Sequence, residues 1–507
     1  MASVAPPEAA AAPPSTKIET WFRRVMIAFS AVAALALAAN FVLMIWARNE
    51  FTGPESVVNA QATMLARHGT LYYSLRDYPY TVCAYMPIVY HLQAALIRMG
   101  FSSALAGRCI SFAALLGILA MAWRLALLYT SDRYCASMAV LCTASTSVLL
   151  LWGTAGQVDM LAVFFSIAAF ERYSRYSLRG EATLVWAGVF AGLAIFTKQT
   201  TIACPAAIFV LLWMDRKKTA LIFGSLFLAI TGGAILMVNA LLDGRFLQNA
   251  IRANINPFAI GKLFAHLHYF VAAAGGMILI AALGLPRVRR KRLAPFVYLG
   301  FALLVFLATA PKVGSDFNYQ MESSVLLILC AAIALHQLDF FPLSFQGSKR
   351  WITLLQIPLA VYLAVNLRIT GNLILSRIAH EQQFRAQIAL LRPYIDGGGR
   401  LLSTDYNSMA RLRGEIEVEP LIYSELVDAR MIDPEPVRRD IAARKFGTIC
   451  LWTDLSATDP GITDQEVATL PDAQMAEIRK NYKLVAHIPG PYLNGLYVYA
   501  PDNRSLW

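Results

Sequence analysis

The sequence predicts an α-helical polytopic membrane protein of about eleven spanning helices with a soluble α/β domain at its C-terminal end. Three observations lead there. Of the 507 residues, 57% are hydrophobic and only 15% are charged, whereas soluble domains carry about 25% charged residues. The apolar residues gather into windows of about 18–25 residues with uncharged centres, the length a helix needs to cross about 30 Å of hydrocarbon. Beyond residue 371 the character changes: charges become frequent, and short β-like runs appear at 400–404, 447–452, 483–488 and 495–500. Helix-like stretches separate the first three, which reads as a small α/β unit.

Taken in order, residues 1–23 begin with an Ala/Pro-rich stretch and read as a disordered cytoplasmic tail. The apolar run that follows is longer than the 7–15 residues of a signal-peptide core, so it reads as a first span. The transmembrane part is expected over 24–371. Its spans are 24–47, 104–128, 134–151, 158–175, 182–196, 200–214, 219–242, 265–285, 293–310, 319–337 and 350–370. Residues 48–103 form a long loop with interfacial helices. Within it, 86–99 (MPIVYHLQAALIRM) is too short and too polar to span, and suits a helix lying along the interface. Residues 372–507 form the external domain, which at this size can bury its own core.

Charge sets the orientation. With 86–99 outside the count, Arg133, Arg172, Arg175, Arg179, Arg216, Lys217, Lys218, Lys349 and Arg350 fall on the N-terminal side. So does the cluster Arg287, Arg289, Arg290, Lys291 and Arg292. The positive-inside rule makes that side cytoplasmic. The net charge of +12 is explained by these short clusters, and nucleic-acid binding is not expected. The seven cysteines show no CxxC or Cys/His spacing, so no metal site is expected from them.

The outer face then collects an unusual mixture. Glu55 stands just beyond span one, with Glu50 closer to the span's end, and Asp159 stands at the mouth of span four. Lys198 and Gln199 lie in FTKQTT, and Lys312, Asp316, Asn318, Tyr319 and Glu322 lie in PKVGSDFNYQMES, while Arg108 opens span two. Cytoplasmic ends carry cation clusters without acidic partners, whereas these turns mix acids, cations and amides. Ionisable groups at the membrane edge are costly, which makes them functional candidates. A carboxylate can take a proton from an acceptor hydroxyl or amine. Lys and Arg can hold a phosphate and stabilise it as it leaves.

At these residues the sequence resembles the polyprenyl-phosphate-dependent membrane glycosyltransferases of the GT-C superfamily. It most resembles the bacterial relatives of protein O-mannosyltransferases and the lipid A aminoarabinose transferase. The matching pieces are GPES after span one, YMPIVYH, Arg108, GQVDM, the KQT turn and KVGSDFNYQMES. The resemblance implies a catalytic carboxylate at Glu55 and a second acid at Asp159, and leaves open which is the principal base. It implies donor-phosphate contacts from Lys198, Gln199, Lys312, Tyr319 and Arg108, and further donor or acceptor contacts from Tyr85, Tyr90, His91 and Asn318. The implied reaction moves a sugar, with inversion, from a polyprenyl-phosphate donor to a lipid, glycan or protein acceptor outside the cytoplasm. No cofactor is required; Pro54-Glu55 stands where many relatives have an Asp-Glu pair, which weakens a metal-dependent reading without excluding a divalent ion. The rival readings are a transporter or flippase of lipid-linked sugars, and an inactive accessory membrane protein. Transporters place ionisable groups near the bilayer midplane, whereas these spans are clean at their centres.

Overall fold

The computed structural model describes residues 17–339 except 48, 49, 51 and 255, and residues 348–501 except 398, 407, 408, 410, 411, 456–468 and 491–494. Most of the N-terminal tail expected to be disordered lies outside the described residues.

The chain is a bundle of helices carrying a small sheet. The bundle runs α1 Lys17–Trp46, α2 Gly53–His68, α3 Ile88–Arg98, α4 Ser103–Thr130, α5 Arg133–Ser145, α6 Ser147–Trp152, α7 Asp159–Arg179 and α8 Leu184–Thr197. It continues with α9 Ala203–Asp215, α10 Lys217–Leu241, the short turn α11 Arg245–Leu247, α12 Ile260–Gly284, α13 Ala294–Thr309, α14 Met321–Asp339 and α15 Ser348–Ile395. Among the described residues, five helical stretches are long and apolar enough to cross a membrane, and four shorter apolar helices accompany them. The protein is a multi-pass membrane protein. The interfacial segment is the eleven-residue α3, which at 1.5 Å per residue reaches about 16 Å, half a bilayer core.

Burial orders the bundle. α14 is its axis, with 83% of its apolar window buried, whereas α10 lies at the rim with 11% buried. Close packing around the axis relies on small residues, as lipid gives helices no hydrophobic reason to associate. A Cβ added to Gly284 of α12 would lie 2.3 Å from the Cβ of Ala334 on α14, so only glycine permits this approach.

Two elements differ from expectation. The span foreseen at 134–151 is interrupted at Thr146. Asn366 of α15 accepts from the Ser147 N–H at 3.0 Å, and the Tyr362 hydroxyl pairs with Thr146 Oγ1 at 2.7 Å. The Tyr362 hydroxyl also donates to Cys142 O at 3.1 Å, so the Ser147 N–H and the Cys142 carbonyl at the break are satisfied inside the protein, the condition under which irregular backbone survives at membrane depth. The second difference is α15, which runs unbroken from 348 to 395, so the boundary expected at 371/372 falls inside a helix. The arginines of the face opposite the first loop also have an acidic partner. Glu171, buried on α7, pairs with Arg124 at 2.7 Å and Arg175 at 2.7 Å.

After α15 come β1 Arg400–Ser403, α16 Pro420–Asp428, α17 Glu435–Ala442, β2 Phe446–Leu451, α18 Asp472–Asn481, β3 Tyr482–Ile488 and β4 Leu496–Pro501. The sheet order is β1-β2-β4-β3, with β1 parallel to β2 and the other pairs antiparallel. These strands coincide with the four β-like runs of the sequence. The domain docks on the first loop. Tyr80 N–H donates to Glu417 O at 2.8 Å, Glu419 N–H donates to Tyr80 O at 2.9 Å, and Arg67 pairs with Glu415 at 3.0 Å.

Glu419 lies inside that joint and accepts from Val82 N–H at 3.2 Å. Burial pushes its carboxyl up to about 7. A native value above the unfolded one of 4.5 means that the folded state binds the extra proton. The contribution is therefore fully present below pH 4.5 and lost as pH rises through 7, about 3 kcal/mol in all. Between pH 5 and 8 the melting temperature of wild type should accordingly fall further than that of Glu419→Gln. Parallel curves would show that Glu419 does not carry the effect.

Candidate functional site

The candidate site forms where the start of α7, the turn after α8 and the start of α14 meet. α8 has fourteen residues, about 21 Å of rise and short of a 30 Å bilayer core, and residues of the turn that follows it are buried in the protein. Lys198 in that turn is 5% exposed and Thr201 4%. Asp159 opens α7, where a carboxylate suits the positive end of the helix dipole. Lys198 and Asp159 form a buried ion pair through Oδ1. The other oxygen, Oδ2, has no hydrogen-bond partner among the described residues. The ammonium lies 4.3 Å from the centre of the Tyr319 ring and 5.9 Å from that of Tyr85, positions that add cation–π attraction to the pair.

Asp159, Lys198, Asn318, Tyr319 and Glu322 line a shared cavity of about 40 Å³ together with Thr200 and Thr201. Its apolar lining is Ala162 and Val163 of α7 and Ala302, Val305 and Phe306 of α13. The cavity is smaller than a sugar ring, so a substrate must open it. Glu322 accepts a hydrogen bond from the Tyr298 hydroxyl, a partner on α13 that the sequence did not single out. The described geometry therefore gathers Asp159, Lys198, Tyr319 and Asn318 in a single pocket with Tyr85 beside it.

Lys312 does not line this cavity. Its ammonium donates to Asn254 O at 2.7 Å and Asn254 Oδ1 at 2.6 Å. Burial holds this lysine below the usual range; Glu425 of the C-terminal domain opposes the shift and Lys198 adds to it. Nearby Asp316 is pushed up, chiefly by burial. Gln199 does not face the cavity: its amide donates to Ala84 O at 2.8 Å and Ala250 O at 3.2 Å. It thereby staples the first loop to residues 243–254, as does Asn254, whose amide reaches Ala84 O at 3.3 Å.

Glu55 and Arg108 form a separate, closed arrangement. Both are buried, at 0% and 1% exposure. Arg108 Nε donates to Glu55 Oε1 at 2.9 Å, and Nη1 donates to Met44 O and Ala47 O at 2.6 Å each. Gly156 N–H also reaches Glu55 Oε1, at 2.9 Å. That contact exists because α4 presents Gly107 to the loop: a Cβ there would lie 2.8 Å from Gly156 Cα. The Glu55 carboxylate thus fixes the loop three residues ahead of Asp159. Neither Glu55 nor Arg108 lines the cavity. Glu50 lies close by, where its carboxylate accepts from Asn59 Nδ2 at 3.2 Å, and Asn59 in turn accepts from Gln93 at 2.6 Å. Asn59 and Gln93 were not foreseen; in the sequence they look like polar residues of amphipathic helices.

Two remaining expectations fall elsewhere. Tyr90, on α3, is fully buried in the core, and His91 is exposed with Nδ1 2.9 Å from Pro87 O.

Outside the polar cavity, a groove of about 500 Å³ runs along the lipid side between α8 and α10. Leu184, Gly188, Gly192 and Phe196 line one wall, and Thr219, Phe223, Phe227 and Ala234 line the other. Ile88, three residues after Tyr85, also lines the groove, and Phe196 in its α8 wall stands two residues before Lys198.

No family model matches the sequence, and no curated protein matches it. Solved structures do. ArnT from Cupriavidus metallidurans in the apo state superposes at a TM-score of 0.63 with 14% identity, covering 96% of this chain and 98% of that one. ArnT bound to undecaprenyl phosphate superposes at 0.61 with 14% identity, over 95% and 98%. A weaker likeness, at 0.48 with 12% identity over 96% and 75%, is to the Archaeoglobus fulgidus oligosaccharyltransferase tethered with an acceptor peptide. The chain has the fold seen in ArnT.

Proposed function

We propose that the protein transfers a sugar from a polyprenyl-phosphate donor to an acceptor on the non-cytoplasmic side, with inversion. The observation that carries this reading is the buried Asp159–Lys198 pair, set between two tyrosines, with Lys198 two residues beyond the wall of an apolar groove. The groove suits an isoprenoid tail, and its residues Phe196 and Ile88, close in sequence to Lys198 and Tyr85, bring the headgroup toward them. The donor phosphate competes with Asp159 for the Lys198 ammonium, and Lys312 approaches from outside the cavity. Once Lys198 turns to the phosphate, Asp159 loses its counter-charge and becomes the proton acceptor. The acceptor oxygen or nitrogen bonds to the anomeric carbon, the bond from that carbon to the phosphate oxygen breaks, and the electron pair leaves on the polyprenyl phosphate. The proton of the acceptor goes to Asp159. A base on the face opposite the leaving group gives inversion by the logic of inverting glycosidases. Lys198 stabilises charge that grows as the phosphate departs, the electrostatic effect that usually dominates such steps.

Glu55 is better suited to holding the site than to entering the reaction, because Arg108 and Gly156 occupy its carboxylate. ArnT has been solved with undecaprenyl phosphate, which supports a lipid of this class as the carrier. No metal enters this scheme.

The test is sugar release by membranes containing wild type or Lys198→Gln, given a panel of polyprenyl-phosphate sugars. Wild type should release sugar from at least one donor, and Lys198→Gln should lose about 10²-fold or more of that rate. Undiminished release by the variant, or no release from any donor by wild type, overturns the reading.

A further inference from the structure

On the face opposite the candidate site, the turn between α4 and α5 meets the far end of α14. Asp132, Cys135 and His336 come together there, each offering one ligand atom, all within 4.8 Å of one another. Cys135 Sγ lies 3.5 Å from Asp132 Oδ2, and His336 Nδ1 lies 3.8 Å from the same oxygen. A tetrahedral zinc ion with bonds of about 2.0–2.3 Å sets its ligand atoms about 3.3–3.7 Å apart, so little movement separates this trio from a coordination shell.

A local explanation accounts for only part of the cluster. Asp132 is the N-cap of α5, where Oδ1 accepts from Tyr134 N–H at 2.7 Å. That duty uses one oxygen and needs neither a thiol nor an imidazole. Oδ2 is left facing both, and His336 arrives from a helix two hundred residues away. Cys135 and His336 are each 7% exposed, while the Asp132 side chain is 39% exposed. The trio is walled by protein on one side and open to solvent on the other, so water can complete the shell. Thiolate, imidazole and carboxylate together suit a borderline-soft divalent ion.

We infer that Asp132, Cys135 and His336 bind a divalent transition-metal ion of the zinc class, clipping the α4–α5 turn to α14. The site is independent of the proposed glycosyl transfer. It lies fourteen residues along α14 from Glu322, about 21 Å away, and shares no residue with the polar cavity. With the orientation proposed above it faces the cytoplasm, where thiols stay reduced and available as ligands. Metal binding requires loss of the thiol proton to solvent, so affinity rises with pH. The spacing rules that find zinc sites in sequences miss it, since two ligands are close in sequence and the third is remote.

The test uses the full chain purified in detergent. Elemental analysis of wild type should find near-stoichiometric zinc or a related divalent ion. After chelation, titration with Co²⁺ alone should produce a thiolate-to-cobalt charge-transfer band. Cys135→Ser should abolish the band, and His336→Ala and Asp132→Asn should each lower metal content about tenfold or more. Asp132→Asn keeps an oxygen to cap α5, so its loss of metal is separable from loss of the helix start. A wild-type protein that elutes as a folded species yet gives no metal and no cobalt band overturns the inference. So does metal retained by all three variants.

Discussion

Arg108→Met is expected to destabilise the protein by about 3–5 kcal/mol, because it leaves a carboxylate buried without its partner. Glu55 is 0% exposed, so bulk solvent does not screen the charge left behind. The damage should spread beyond the pair, since Arg108 also ties Met44 O and Ala47 O, where α1 ends, to α4. Glu55→Gln should also destabilise, by taking from the cation its closest counter-charge. The double variant Glu55→Gln/Arg108→Met should cost clearly less than the sum of the two, as neither buried charge remains. A double-mutant cycle on melting in detergent measures that coupling. Additive losses would mean that the two groups do not depend on each other, and the structural role given to Glu55 would fall.

The pair also shows what a sequence can and cannot disclose. Glu55 and Arg108 are both visible as charged residues at helix ends, and their shared face follows from counting spans. Nothing local says that they neutralise each other, because the partners are 53 residues apart. Arg108 consequently reads as a phosphate ligand in sequence and stands in the structure as a buried clamp. The same holds for Gln199, which looks like a donor contact and bonds to two backbone carbonyls. The helical bundle is far more legible, since hydrophobic windows are local and the membrane fixes their length. Its two departures, the break at Thr146 and the continuation of α15 past 372, come from remote effects. Asn366 and Tyr362 satisfy the first break. Across 372–395, Arg377 is held by Asn40 and Leu151, so the helix continues on contacts with the bundle where its hydrophobicity fades. The strands of the C-terminal domain are legible from alternation and β-branched residues; their order in the sheet is not.

The acid of the cavity bears the sharper functional expectation. Asp159→Asn preserves size and one oxygen at Oδ1 but removes the proton acceptor. Loss of a general base typically costs about 10²–10⁴-fold in rate. The loss should fall on kcat rather than on the donor KM, as the base acts on the acceptor and only in the transition state. Donor affinity could even rise, because Lys198 no longer has a carboxylate competing with the lipid phosphate. Glu55→Gln supplies the contrast: per folded molecule, it should keep turnover within about tenfold of wild type, even though the protein melts earlier. Measuring kcat and KM on the folded fraction of each variant decides between the two acids. If Asp159→Asn turns over normally while folded Glu55→Gln is inactive, the base is Glu55. The Arg108 pair would then have to open during the reaction, and the geometry described here would be its resting form. The opposite result makes Asp159 the group that the donor itself unlocks, with proton transfer waiting on the lipid phosphate drawing Lys198 away.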